Sequence, residues 1–311
     1  GRRQAIENIF RKNLIGIDLD TRAKQLATFS LLMNACQKDK SFLDARVMPR
    51  VYDMPRPFCE EFDSEYDPER QDEKAFIKEK IKPLVPAQDQ EVCDELVDAI
   101  MVMDHVDTLG SIMQFDLSER TRNILQAQLQ ETEDQRFPTD KTRKILPYVR
   151  IILALTEKYS ALVMNPPYMG SGNMNATLSD YVKKHYKEGK ADLFSVFMLL
   201  AVRRLAPNGK YGMINMQSWM FLSSFENLRK QLLEHEQIDS LLHLGPRTFD
   251  ELSGEVVQNV AFVISLHSPK YMGTYYRLVD GKNCADKENR FLTKQGEYPN
   301  VDQKKFEQIP G

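Results

Sequence analysis

The sequence predicts an α/β fold in which helices cover both faces of a doubly wound, mostly parallel sheet. Short apolar runs alternate along most of the chain with longer segments of helical periodicity. Two of these runs end in polar residues, where ligands bind in sheets of this kind. The 311 residues are 42% hydrophobic and 28% charged, which is enough apolar material for one large or two medium domains.

The first predicted strand and the helix after it follow a helical pattern that begins directly after Gly1. Residues 14–19 form an apolar run that ends in acid, which predicts a buried parallel strand. Residues 22–36 predict an amphipathic helix with Leu26, Phe29 and Met33 on one face. Asp20 and Thr21 are both suitable caps for this helix.

Composition changes after a second predicted strand at residues 46–52. Residues 53–91 are rich in Pro, Asp, Glu and Lys, with few branched aliphatic side chains. We expect this part to be a surface insertion that contains a short helix around residues 73–82. Helices are predicted next at residues 92–103 and 117–130.

A second series of strands and helices follows. Its predicted elements are helix 147–157 with proline in its first turn, strand 161–164, a loop with at most one helical turn at 165–190, helix 192–205, strand 211–216, helix 225–235, and strands 238–244 and 257–266. The last two strands have no helix between them, so we expect one of them to pair antiparallel at the end of the sheet.

The domain organisation follows from these elements. We expect residues 1–52 and 101–270 to form two parts of one catalytic core, separated by the insertion at residues 53–100. Residues 271–311 are expected to begin a further, C-terminal region.

Composition also limits the class of protein. Apolar runs are too short to cross a bilayer, and the N-terminus lacks the apolar region of a signal peptide. Four scattered cysteines, with neither a CxxC pair nor histidines at ligand spacing, predict reduced thiols in a cytoplasmic protein without a metal site. A net charge of −3 argues mildly against a dedicated nucleic-acid binder, so any DNA contact requires a local basic surface.

The most informative motif is the tetrapeptide Asn165, Pro166, Pro167 and Tyr168, which directly follows an apolar strand. Methylation of an aromatic amine requires two acceptors for its two hydrogens, and the Asn165 side chain and the Pro166 carbonyl supply them. The two prolines restrict the backbone, so the acceptors stay aligned. Tyr168 offers a ring on which a flipped-out base can stack. The alternative is a proline-stiffened surface turn.

A second candidate site lies at the end of the first strand. Asp18 can accept hydrogen bonds from both ribose hydroxyls of a nucleotide, and Leu19 can pack on the adenine face. Asp20 is the better helix cap. The alternative for Asp18 is a solvated turn.

Lys183 and Lys184 belong to a basic cluster with interleaved aromatic residues, near the tetrapeptide in sequence. Such a cluster can contact DNA phosphates, and a solvated helix face is the equally simple alternative.

The chain resembles the gamma class of amino-group DNA methyltransferases. The runs NLIGIDLDTRAKQLATFSLLMNA, DTLGSIMQFD, ALVMNPPYMGSGNM and KADLFSVFMLLAVRRLAPNGKYGMINMQSWMF are similar to the PglX-type methyltransferases of BREX phage-defence systems and to large type IIG restriction–modification enzymes. The resemblance covers about residues 10–270. It implies a Rossmann-like S-adenosylmethionine-dependent methyltransferase fold, and an enzyme that methylates N6 of an adenine flipped out of double-stranded DNA.

The resemblance also implies roles for single residues. Asp18 and Leu19 would bind the ribose and adenine of S-adenosylmethionine. Asp192 and Phe194 would shape the cofactor-side wall, and Phe249 would form a second aromatic wall around the flipped adenine, with a core phenylalanine as the alternative. Partners would be DNA and other subunits of a defence system, with no membrane.

One part of the family's pattern is missing. The glycine-rich cofactor loop should lie some tens of residues before Asp18, but only 17 residues precede it and they hold just Gly1 and Gly16. We therefore expect a fold truncated at its N-terminus, and a fragment that is inactive alone.

Three other functions remain open at this point. The chain could methylate a protein glutamine or the amino group of cytosine, could be a non-catalytic DNA-binding scaffold, or could belong to a restriction enzyme whose nuclease lies elsewhere.

Overall fold

The computed structural model describes residues 1–62, 72–86, 89–134, 139–249, 257–267 and 271–308. The chain divides into two compact units, Gly1–Glu157 and Lys158–Gly311. A two-stranded sheet lies in the first unit and a six-stranded sheet in the second. The predicted α/β class is confirmed.

The first unit is mostly helical. Its helices and strands are, in chain order, α1 (Arg2–Asn8), β1 (Ile15–Asp18), α2 (Thr21–Lys38), β2 (Arg50–Asp53), α3 (Phe58–Glu61), α4 (Glu73–Ile81), α5 (Gln90–Met103), α6 (Val106–Leu109), α7 (Glu119–Asp134) and α8 (Asp140–Thr156).

β1 and β2 pair in parallel, with Asp18 opposite Asp53 at their carboxyl ends. α2 begins after Asp20, whose carboxylate accepts a hydrogen bond from the backbone N–H of Arg22 at 2.7 Å. The cap predicted at Asp20 is therefore present, and it satisfies one of the free N–H groups of the first helical turn.

The apolar face predicted for α2 is exposed within this unit. Leu26, Phe29 and Met33 are 67%, 60% and 46% exposed. The helix instead packs through Ala35 and its neighbours Leu31 and Leu32 against a small cluster around Phe10 and Phe42. A two-stranded sheet is too narrow to cover more of the helix.

The segment predicted as a surface insertion contributes to the core of the first unit. Phe58, Ile77 and Ile81 are completely buried, and so are Leu96 and Ile100. The prediction was wrong on this point because a few apolar residues at helical spacing bury a face even in a strongly charged segment. Its short helix is confirmed as α4.

α8 is longer than predicted. Thr139 caps it by accepting a hydrogen bond from the N–H of Thr142, so Pro147 lies inside the helix and not in its first turn.

The second unit holds the larger sheet. Its helices and strands are, in chain order, β3 (Tyr159–Met164), α9 (Ala176–His185), α10 (Leu193–Arg204), β4 (Leu205–Met216), α11 (Glu226–His235), β5 (Gln237–Gly245), β6 (Asn259–Ser265), β7 (Gly273–Arg277), α12 (Cys284–Leu292) and β8 (Glu297–Val301).

The strand order is β3-β4-β6-β5-β7-β8. Ladders β3–β4 and β5–β7 are parallel, whereas β6 is antiparallel to β4 and to β5, and β8 is antiparallel to β7. Four of the six strands therefore point the same way, which agrees with a mostly parallel sheet.

Two details differ from the prediction. The antiparallel strand β6 lies between β4 and β5 and not at the end of the sheet. Residues 273–301, which we expected to open a separate region, add β7 and β8 to this same sheet. Sheet order depends on pairings between distant segments, which local periodicity does not encode.

The segment predicted as a loop at residues 165–190 contains the helix α9. Asn175 caps it by accepting a hydrogen bond from the N–H of Leu178 at 2.9 Å. Leu178 and Val182 form its buried face, so two apolar side chains one turn apart are sufficient to anchor it.

Among the described residues, no helix combines the length and the apolar character that a bilayer crossing requires.

A buried acid, Glu236, lies in the core of the second unit. The hydroxyl of Tyr211 donates to Glu236 Oε2 at 3.1 Å, and Tyr211 and Glu236 are 1% and 3% exposed. Burial raises the pKa of Glu236 to about 7, although the hydrogen bond from Tyr211 opposes the shift. The folded unit therefore holds this carboxyl protonated over a wider pH range than the unfolded chain does.

We expect the stability contributed by Glu236 to be complete below about pH 4.5 and to be lost as the pH rises through 7, because the folded pKa lies above the unfolded one. Glu236→Gln removes the ionisation and retains an acceptor for Tyr211. At pH 8 the variant should be more stable than the wild type by about 3 kcal/mol, at roughly 1.4 kcal/mol per pKa unit. Denaturant unfolding at pH 8 and pH 4.5 measures this, with the exposed Glu234→Gln as control. An equal difference at both pH values would contradict it.

Candidate active site

The tetrapeptide lies where β3 leaves the sheet. β3 pairs with β4 as far as Met164, opposite Met213. The prolines that follow have no N–H to continue a ladder, so pairing stops there. Pro166 is buried and anchors the turn, while Asn165 and Pro167 are exposed.

Both predicted acceptors are available. Within the described residues, neither the Asn165 side chain nor the Pro166 carbonyl takes part in a hydrogen bond. An open apolar hollow of about 400 Å³ lies beside Asn165 on one face of the sheet, lined in part by Val163 and Val263. The Asn165 side chain therefore borders open space at the carboxyl edge, and the Pro166 carbonyl has no partner among the described residues.

Tyr168 is held by a ring contact and by a hydrogen bond to its hydroxyl, and it is 37% exposed. Its ring meets that of Phe194 edge to face, with centroids 6.4 Å apart and planes at 88°. The Nδ2 of Asn259 donates to the Tyr168 hydroxyl at 2.9 Å. Burial raises the pKa of Tyr168, and the hydrogen bond from Asn259 opposes this. Tyr168 thus stays a neutral phenol with part of its surface open.

Asp192 fixes the backbone that follows Tyr168. Its Oδ1 accepts hydrogen bonds from the N–H groups of Met169 at 3.1 Å and Phe194 at 3.2 Å. One carboxylate therefore caps α10 and ties the tetrapeptide loop to it. Burial raises the pKa of Asp192, while these hydrogen bonds act to lower it.

These contacts change the interpretation of two predicted cofactor residues. Phe194 is 1% exposed and lies behind Tyr168, so its ring has almost no surface left for a ligand. Asp192 uses one oxygen on the backbone. Both contact the tetrapeptide loop, Asp192 through the N–H of Met169 and Phe194 through the ring of Tyr168.

The other predicted cofactor residues lie in the first unit, at the carboxyl end of β1. Asp18 is exposed, and its Oδ1 accepts a hydrogen bond from the N–H of Asp20 at 2.9 Å. Leu19 is 61% exposed, and its methyl groups lie over Gly110, where a Cβ would come within 3.2 Å. Gly110 has a φ of 51°, so glycine is favoured there on both counts.

Two neighbouring acids are already engaged by α2. Asp20 caps the helix, and Asp53 accepts hydrogen bonds from Thr21 and Lys24, each at 2.9 Å. Burial alone would raise the pKa of Asp53, but the hydrogen bonds from Lys24 and Thr21 outweigh it and lower the pKa. Asp18 is therefore the acid at this sheet end with an oxygen uncommitted among the described residues.

The predicted DNA-contacting residues are exposed. Lys183 and Lys184 lie in the last turn of α9, where Lys183 pairs with Asp180 at 3.5 Å. Phe249 is 42% exposed, which disfavours the alternative of a core phenylalanine. Much of the segment after Phe249 that carried its resemblance, residues 250–256, lies outside the described residues.

Two polar residues near the tetrapeptide had no sequence prediction. Asn259 begins β6, and Asn215 is the residue before the last in β4; both are completely buried. Trp219 is 3% exposed and donates its indole N–H to Asn215 Oδ1 at 3.1 Å. The sequence feature that could have indicated Asn215 and Asn259 is a polar side chain at the end of a strand. Such residues are too common for this feature alone to identify a site.

One group of possible metal ligands also escaped sequence reasoning. Side-chain ligand atoms of Cys59, Glu73 and Asp104 lie within 4.8 Å of one another. Burial, together with the charges of Asp104 and Glu73, raises the pKa of Cys59 to about 12. The Cys59 thiol is therefore protonated near neutral pH in the metal-free protein.

Comparison with known proteins gives a consistent result. The family model described as Eco57I restriction-modification methylase matches residues 12–249. The chain is 33% identical over 325 residues to the adenine-specific methyltransferase PglX of Lacticaseibacillus casei (strain Zhang), covering 100% of this chain and 25% of the relative. It is 32% identical over 313 residues to the adenine-specific methyltransferase BrxX of Escherichia coli O9:H4 (strain HS), covering 97% and 26%.

Solved structures also resemble the chain. A DrdV–DNA complex aligns with 94% of this chain and 24% of its own, at 12% identity and a TM-score of 0.48. The chain spans about a quarter of the length of the curated relatives PglX and BrxX.

We expect Asp192→Ala to loosen the tetrapeptide loop, because the N–H groups of Met169 and Phe194 lose their acceptor. The free energy of unfolding should fall by about 1–2 kcal/mol, as for loss of a helix cap with a further hydrogen bond. Amide hydrogen exchange at Met169 should accelerate more than the global change explains. Asp180→Ala, which removes an exposed acid on α9, is the control. Unchanged exchange at Met169 would show that Asp192 does not hold the loop.

Proposed function

Since the chain belongs to the Eco57I restriction-modification methylase family, we propose that it contributes to a site-specific DNA methyltransferase that modifies N6 of adenine. The observation that carries the proposal is the pair of acceptors at Asn165 and Pro166, which have no partner in the part of the chain that the structure describes, beside the partly exposed ring of Tyr168. Both curated relatives are named adenine-specific methyltransferases, which favours adenine over cytosine or a protein glutamine.

The base-binding chemistry follows from these groups. The Asn165 side-chain oxygen and the Pro166 carbonyl accept the two hydrogens of the adenine amino group and withdraw its lone pair from the ring, which makes the nitrogen a better nucleophile. Pro167 keeps the backbone rigid, and Tyr168 stacks on the flipped base. Position and polarisation are the enzyme's contribution to this reaction.

The proposed cofactor is S-adenosylmethionine, which supplies a methyl group on a sulfonium when bound. Asp18 fits the ribose because it is exposed and retains an oxygen with no partner among the described residues, and Leu19 presents an apolar surface for the adenine. Asp192 and Phe194 serve the same reaction indirectly, by fixing the tetrapeptide.

The proposed partner is double-stranded DNA with the target adenine flipped out of the helix. Lys183 and Lys184 contact backbone phosphates, which gives the acidic chain a local basic surface. Phe249 provides a second aromatic surface for the base.

The biological setting is proposed from the relatives. We place the protein in a restriction–modification or phage-defence system of the cytoplasm, acting with other subunits of that system. Residues 1–52 and 101–270 would belong to its methyltransferase core, to which β7 and β8 add two strands of the same sheet.

Asn165→Ala should lower the rate of methyl transfer about a hundredfold or more, since it removes one of two acceptors that polarise the amine. The measurement is incorporation of labelled methyl from S-adenosylmethionine into unmethylated DNA by the full-length protein. Asn289→Ala, at an exposed position of α12, is the matched control. Equal incorporation by wild type and Asn165→Ala would remove Asn165 from the reaction, and no incorporation by wild type would favour a non-catalytic scaffold.

Replacing Lys183 and Lys184 together with alanine should weaken binding of all DNA sequences to a similar extent. The slope of log K against log salt should become shallower by about 2, one for each lost phosphate contact. Fluorescence anisotropy with labelled duplex DNA over a salt series measures both. Lys230→Ala, an exposed lysine paired with Glu226, is the control. An unchanged slope would assign the two lysines to a solvated helix face.

A further inference from the structure

The antiparallel strand brings a buried asparagine to the active edge of the sheet. Asn259 is the first residue of β6 and lies opposite Met216 of β4 and Gly245 of β5. Because β6 runs against β4 and β5, its start lies at the edge where those strands end. Asn259 is completely buried and fixed by backbone pairing on both sides.

The hydrogen bonds of Asn259 define which way its amide points. Nδ2 lies 2.9 Å from the Tyr168 hydroxyl and 3.4 Å from the backbone oxygen of Asn215. A backbone oxygen only accepts, so the atom facing it must be the amide nitrogen. The two N–H groups are therefore directed to Asn215 and Tyr168, and the tyrosine hydroxyl accepts.

The Asn259 side chain also lowers the stability of the fold. Its Oδ1 is buried and has no hydrogen-bond donor among the described residues. A buried acceptor without a donor destabilises a protein, and an apolar residue of similar shape would avoid that cost. Asparagine at position 259 therefore makes the protein less stable than an apolar residue would, and it provides the contact with Tyr168 that an apolar residue could not make.

We propose that Asn259 is a positioning residue that holds the Tyr168 ring in the orientation required for stacking on the flipped base. The inference rests on the proposed methyltransferase function and deepens it. The Phe194 ring packs against the Tyr168 ring, and Asp192 holds the backbone that follows Tyr168. Asn259 adds a third restraint, at the Tyr168 hydroxyl.

The hydroxyl hydrogen of Tyr168 takes no part in the hydrogen bond with Asn259. The hydroxyl oxygen accepts from Asn259, so its own hydrogen points away from the protein contact and is available as a donor. Tyr168→Phe removes the hydroxyl and retains the ring, which makes it the natural partner variant for Asn259.

The test is a double-mutant cycle with Asn259→Leu, Tyr168→Phe and the double variant in the full-length protein. The readout is the single-turnover rate of methyl transfer to plasmid DNA from a host without adenine methylation. Each single variant should lower the rate about tenfold, the loss expected for one hydrogen bond. The double variant should be no slower than the singles, because both remove the same contact.

Two further measurements separate positioning from a general structural role. The KM for S-adenosylmethionine should stay within about twofold of wild type, the limit of additivity for independent sites. The unfolding midpoint of Asn259→Leu should equal or exceed that of wild type, because the unpartnered oxygen is gone. Ser265→Ala, a buried polar residue at the other end of β6, is the control and should methylate normally.

If the rate losses of the two single variants multiply in the double variant, the positioning role is overturned. A slow Asn259→Leu variant together with a fully active Tyr168→Phe variant would overturn it as well. Both outcomes would leave the methyltransferase proposal intact. A lowered unfolding midpoint that accounts for the slower rate would also overturn the positioning role. A wild-type protein that transfers no methyl group would overturn the proposed function, and this inference with it.

Discussion

The point at which β3 stops pairing determines the geometry of the candidate active site. β3 follows β4 as far as Met164, and the two prolines that come after Asn165 cannot donate to a ladder. The chain must therefore turn away from the sheet at one defined residue, with the Pro166 carbonyl and the Asn165 side chain left without partners in the described chain. A strand of ordinary residues could extend by one more pair and would then engage the backbone carbonyl of residue 166 in the ladder.

The support beneath this turn comes from three separate elements. The N-cap of α10 supplies Asp192, the first buried turn of the same helix supplies Phe194, and the start of β6 supplies Asn259. A helix start and an antiparallel strand start both lie near the carboxyl edge of the parallel strands, so the α/β arrangement places all three there. Each contact restrains a different part of the segment that follows β3. Asp192 restrains the backbone, Phe194 the Tyr168 ring, and Asn259 the Tyr168 hydroxyl.

Local sequence predicted the elements that depend on local chemistry. The strand before Asn165, the helix cap at Asp20 and the exposed acid at Asp18 could all be read from residue type and spacing. The central position of β6, the addition of β7 and β8 and the contact of Asn259 with Tyr168 could not. These features join residues far apart in the chain, and 91 positions separate Asn259 from Tyr168. The family resemblance supplied roles for Asp192 and Phe194, but only the structure showed them packed behind the tetrapeptide.

Residue type alone does not distinguish the candidate cofactor-binding acid at the end of β1 from the acids beside it; the hydrogen bonds already made by each acid do. Asp20 is engaged by a helix start, and Asp53 by a lysine and a threonine of the same helix. The Asp18 carboxylate accepts one hydrogen bond among the described residues, from a backbone N–H, and stays exposed. The same reasoning applies at the end of β3, where Asp192 is engaged and the Asn165 side chain has no partner within the described ranges. In each unit the group left uncommitted lies at the carboxyl end of a parallel strand, where the fold leaves room for a ligand, and the engaged neighbours keep that strand end rigid.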